Sequence, residues 1–168
     1  MTLFDTHAHY DDEAFDADRD TVLSAFDGLV IDPGCTLESS RAAVALANRH
    51  RHVYAAVGIH PENCGGFLTE HLDELRRLAR QSKVVAIGEI GLDYYWAENP
   101  PREFQRQVFR AQLELALELD LPVIIHDREA HGDSLAIVKE YPALRGVFHC
   151  YSGSVEMAKE LLDRGWYL

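Results

Sequence analysis

The stretch FDTHAHYDDEAF near the start of the chain places His7 and His9 one residue apart. On an extended strand such a pair points both rings to one face. That suits two ligands of a shared metal ion, although two core histidines satisfied by ordinary hydrogen bonds would carry the same signature. Three further residues bear on the choice: His126 ends the apolar run PVIIH, His149 ends GVFH, and Glu89 stands within VVAIGEIGLD. A polar ring closing an apolar strand costs free energy unless it is paired, so several of them at strand ends favour metal ligation. Neutral imidazoles and carboxylates suit zinc, manganese and similar divalent ions. A glutamate lying between two ions could bridge them in a two-metal centre.

Other reactive side chains read more plainly. His50 and His52 repeat the same spacing in RHRH, but at a predicted helix end, where cationic groups favourably meet the dipole in solvent. His71 falls within an amphipathic helix and His131 in a polar turn, so both are expected to face solvent. Cys150 follows His149 directly, and adjacent strand residues face opposite ways, which argues against a Cys–His nucleophile. Asp32 in VIDPG reads as a turn residue ahead of Pro33, and Cys64 in HPENCGG is given no role.

These residues need elements to hold them. Six apolar runs, TLFDTH, GLVIDPG, VYAAVGIHP, VVAIGEIGLD, LPVIIHD and GVFHCYSG, read as strands. Helical stretches alternate with them: TLESSRAAVALANRH with Thr36 as N-cap, LTEHLDELRRLARQ with Thr69 as cap, and PPREFQRQVFRAQLELALELD with prolines suited to a first turn. The strands are apolar throughout rather than alternating, which indicates burial on both faces and a parallel sheet. An open doubly wound sheet and a closed (β/α) barrel both satisfy this pattern. His7, His9, His60, Glu89, Asp93, His126 and His149 all fall at or just past C-terminal strand ends. In a parallel barrel that end carries the active site.

Bulk properties bound the function. A chain of 168 residues supports one well-buried core, and residues 1–168 are expected to form a single domain. The formal net charge of -12 argues against broad duplex binding through Lys and Arg. A site that holds phosphate through cations remains compatible with an acidic protein. Three scattered cysteines give no disulfide pattern, the acidic N-terminus has no signal-peptide character, and no apolar run approaches a membrane span. The expectation is a soluble cytoplasmic protein.

Together DTHAHY, GIHP, GEIGLDYY, IIHDREA and FHCYSG, in this order and covering the chain almost end to end, resemble the TatD family of metal-dependent hydrolases, among the amidohydrolase-like barrels. The resemblance implies a TIM-type (β/α)8 barrel, here incomplete, with about six βα units and the opening of a seventh strand. It implies two divalent metal ions (Mg, Mn or Zn) and a deoxyribonuclease of 3′-to-5′ exonuclease type, acting on DNA single strands or 3′ ends. Position by position, it makes His7 and His9 ligands of the first ion, Glu89 the shared and catalytic carboxylate, and His126 and His149 ligands of the second. It assigns His60 and Arg128 to substrate phosphate.

One departure stands out. The family carries a further metal-binding Asp after a late strand, whereas here Trp166, Tyr167 and Leu168 look like the opening of that strand, and Glu156, Glu160 and Asp163 do not match. The expectation is therefore a C-terminally shortened barrel that self-associates through its open edge. Another hydrolase of the same superfamily, or a metal-binding remnant with impaired turnover, is the alternative.

Overall fold

The computed structural model describes residues 3–168. Six strands, β1 (Leu3–Asp5), β2 (Gly28–Pro33), β3 (Val53–Val57), β4 (Val84–Asp93), β5 (Val123–Arg128) and β6 (Gly146–Phe148), form one parallel sheet in sequential order. The helices α1 (Arg19–Ala25), α2 (Leu37–Arg49), α3 (Thr69–Ala79), α4 (Arg102–Leu119), α5 (His131–Lys139) and α6 (Val155–Asp163) provide the crossovers and the last connection. After α6, Tyr167 bridges Val147 in parallel, extending the order beyond β6.

Alternate strand residues explain the unbroken apolar runs. Val30, Val57, Ile87 and Ile125 join the large core shared with the helices, while Ile31, Ala56, Ala86 and Ile124 form a second cluster. Strands β2 to β5 are therefore buried on two faces, as a barrel wall requires, whereas Leu3 and Phe4 of β1 stay exposed. The sheet curls: His7 and His149, just past the two outermost strands, stack with ring centroids 3.4 Å apart. A flat sheet would hold the first and sixth strands roughly 24 Å apart, at about 4.8 Å per step. The result is an incomplete (β/α) barrel with all site residues at one rim.

Helix ends follow local chemistry, with some corrections. Thr36 caps α2 in a reciprocal pair with Ser39, at 3.0 Å from the Ser39 N–H. Thr69 is instead the first residue of α3, and His71 closes that end, its Nδ1 accepting the Leu68 N–H at 3.3 Å. Pro101 sits at the N-cap of α4, one place before the first turn. Asp32 is not a turn residue but a fully buried member of β2. His131 begins α5 and bonds Asp127 at 2.7 Å, rather than standing free in a turn. His50, whose side chain is only 13% exposed, pairs with Asp20 at 3.0 Å, so its end of α2 is less solvated than its sequence implies. Cys150 adopts a left-handed turn (φ 49°) and borders the same cavity as His149, because the strand has already ended.

Candidate metal centre

Glu89 lies in the middle of β4, a 10-residue strand whose last eight positions are all buried. Its two carboxylate oxygens serve different partners. Oε2 faces His7 Nε2 at 3.2 Å and His9 Nε2 at 3.8 Å. Oε1 faces His126 Nδ1 at 3.2 Å and His60 Nε2 at 4.0 Å. Ligand-capable atoms thus gather into two groups that share one carboxylate, His7–His9–Glu89 and His60–Glu89–His126. His149 belongs to neither tight group but lies on the face of the His7 ring and lines the same cavity of about 580 Å³, which Arg128 also borders.

The close approach of β4 and β5 has a local cause. Gly91 has a positive φ of 146° and pairs with His126; a Cβ there would strike the His126 carbonyl. Two buried glutamines on one face of α4 then fix the strand ends. Gln105 accepts the Asp93 N–H at 2.9 Å and donates to the Asp93 carbonyl at 2.9 Å. Gln112 does the same for Ile59, at 2.8 and 3.0 Å, immediately before His60.

Electrostatics sort the histidines. Burial, then the neighbouring His126, lowers the His60 pKa to about 4. Burial, then His7, lowers His149 to about 4 as well. His60 Nδ1 accepts the Glu62 N–H at 3.3 Å, so the proton of the neutral ring sits on Nε2, which is turned toward Glu89. Burial drives His126 down, but Glu89 and then Asp93 outweigh it and raise its pKa. Burial pushes Glu89 up, yet hydrogen bonds from His126 and His7 hold its carboxyl well below the usual range.

Two residues were not read as functional from sequence. Asp93 is fully buried and binds His126 Nε2 at 2.9 Å, leaving Nδ1 to face Glu89. Its place at a strand end was the available signal. Asp32 has both carboxylate oxygens buried without a partner, close to Asp11 and His9. Burial, followed by the charge of Asp11, raises its pKa to about 9. Nothing in VIDPG distinguishes such a residue from an ordinary turn.

The donor set fits a divalent cation. His7 Nε2 and His9 Nε2 lie 3.0 Å apart with a carboxylate oxygen beside them. Two imidazole lone pairs and an anion converging there need a cation or shared protons between them, and borderline or hard divalent ions take these ligands. The Asp93–His126 bond supplies the outer-shell carboxylate that commonly fixes a metal-binding imidazole.

A family model described as TatD related DNase matches residues 4–168. The chain is 38% identical to the uncharacterized metal-dependent hydrolase YabD of Bacillus subtilis (strain 168), over 99% of this chain and 67% of that protein. It is 36% identical to the 3′-5′ ssDNA/RNA exonuclease TatD of Citrobacter koseri, over 99% of this chain and 66% of that one. The crystal structure of the TatD homologue YjjV of Escherichia coli K12 superposes with a TM-score of 0.90 and 34% identity, covering 98% of this chain and 66% of that one. The chain spans about two thirds of the length of these relatives.

Proposed function

Because the chain belongs to the TatD-related DNase family, we propose that it is a metal-dependent hydrolase cleaving phosphodiester bonds of DNA from a 3′ end, with two divalent ions, Mg, Mn or Zn, held around Glu89. The observation that carries this reading is the division of the Glu89 oxygens between two histidine groups. In it, His7 and His9 together with Glu89 would hold one ion, and His126 together with Glu89 the other, with His149 lining the same cavity. When bound, such ions supply Lewis acidity toward a phosphoryl oxygen and lower the pKa of water.

The chain's own groups position the substrate. His60, neutral and with its N–H on Nε2, donates to a phosphate oxygen without demanding a change of charge near neutral pH. Arg128 borders the cavity and brings a cation to a second phosphate oxygen. Asp93 keeps His126 in the tautomer that offers Nδ1. Hydrolysis of a 3′-labelled oligonucleotide by purified protein in Mn²⁺, abolished by chelator and by Glu89→Ala, is the expected result. Undiminished cleavage by Glu89→Ala would overturn the reading.

Self-association belongs to the same reading. The groove between the sheet edges, about 760 Å³, is lined by apolar side chains including Leu29, Ile31 and Val147, and Phe4 and Tyr167 stand 53% and 72% exposed. An uncovered strand edge beside apolar surface favours pairing with a second copy. Light scattering after gel filtration is expected to show a species larger than 19.0 kDa, and a monomer at micromolar concentration excludes it.

A further inference from the structure

Beyond the metal centre, the rim carries aromatic surface that neither the core nor the ligand groups use. Tyr95 and Trp96 follow β4 after Tyr94 and are 52% and 44% exposed, with ring centroids 4.6 Å apart at 87°. The guanidinium of Arg128, the last residue of β5, lies 4.0 Å from the Tyr95 centroid and 5.3 Å from that of Trp96. Arg128 takes part in no ion pair among the described residues, although the chain has 28 acidic side chains against 16 basic ones. The segment is held, not loose. Asp93 Oδ1 accepts the Tyr95 N–H at 3.0 Å and the Asn99 amide at 3.1 Å, and the Tyr94 N–H donates to the Arg128 carbonyl at 2.9 Å.

We propose that Tyr95, Trp96 and Arg128 form a stacking subsite for an unpaired nucleobase beside the scissile phosphate. Exposed aromatic faces with a guanidinium between them and the cavity that holds the ligand groups are the parts from which single-strand binding surfaces are built. A base already paired and stacked in a duplex presents no free face, so the subsite selects single strands. Arg128 serves both surfaces: its guanidinium carbon lies over the Tyr95 ring, and the same side chain borders the cavity where its N–H groups would meet phosphate. Asp93 joins the two regions, since one of its oxygens holds His126 and the other holds the Tyr95 backbone.

The inference rests on the phosphodiester reading, and its test separates the two. Affinity for a phosphorothioate-linked dT8 and for an octamer with the same backbone but without bases is measured by fluorescence anisotropy in Mn²⁺. Wild type is expected to prefer dT8 roughly tenfold or more. Tyr95→Ala with Trp96→Ala is expected to bind the two equally, and Tyr95→Phe with Trp96→Phe to restore the preference. Equal affinity in wild type, including no measurable affinity for either, or a preference that survives the double alanine change, overturns the subsite. Cleavage of ordinary dT8 is scored separately. A wild type that cleaves it without preferring bases keeps the nuclease reading and loses only this one.

Discussion

His7, just past the first strand, and His149, just past the sixth, lie face to face with ring centroids 3.4 Å apart and planes within 9°. They belong to opposite edges of the sheet, so their contact records its curl. The same curl brings His126 and His60 to one oxygen of Glu89 and His7 and His9 to the other.

Asp93→Asn keeps the shape of a fully buried side chain but removes the charge that holds His126 Nε2 at 2.9 Å. Mn²⁺ affinity, read by isothermal titration, is expected to fall about 10- to 100-fold, as for other outer-shell carboxylates. An unchanged affinity would mean that the His126 orientation does not matter to the ion.

Asp32 sets a pH dependence. Its folded pKa of about 9 lies far above the ordinary carboxyl value of 3.8, with burial the first cause and Asp11 the second. Between those two values the folded state keeps a proton that the unfolded state has released, so stability falls as pH rises through that window. Asp32→Asn removes the loss. In chelator, urea titrations of the variant and wild type are expected to agree near pH 4 and to diverge toward pH 9, with the variant more stable by a few kcal/mol at neutral pH. A pH-independent difference would show that Asp32 is not held protonated.

Gln112 satisfies both backbone groups of Ile59. Gln112→Leu leaves a buried N–H and C=O unpaired, at about 1–3 kcal/mol each. The urea midpoint is expected to drop accordingly. Substrate affinity should weaken too, because Ile59 sets the backbone ahead of His60. A loss of stability alone would confine Gln112 to a structural part.

The strands were legible in the sequence because a wall buried on two faces needs apolar residues at every position, and that need is written locally. Ile31 and Val30 look equivalent in the sequence, yet they enter different clusters. Thr36 was readable as a cap since its partner Ser39 is three residues away. Thr69 was misread because His71 performs that work from inside the helix. The motifs likewise marked His7, His9, Glu89, His126 and His149 as strand-end polar groups.

Which oxygen of Glu89 meets which ring, and that His149 stacks on His7 instead of entering a tight ligand group, followed only from tertiary structure. So did the burial of Asp32 and the clamps made by Gln105 and Gln112. The reason is geometric. Residue type and period depend on neighbours a few positions away, and the sequence by itself determined those. Distances across the rim depend on twist accumulated over six strands and on helix packing behind them, which no short stretch of sequence contains.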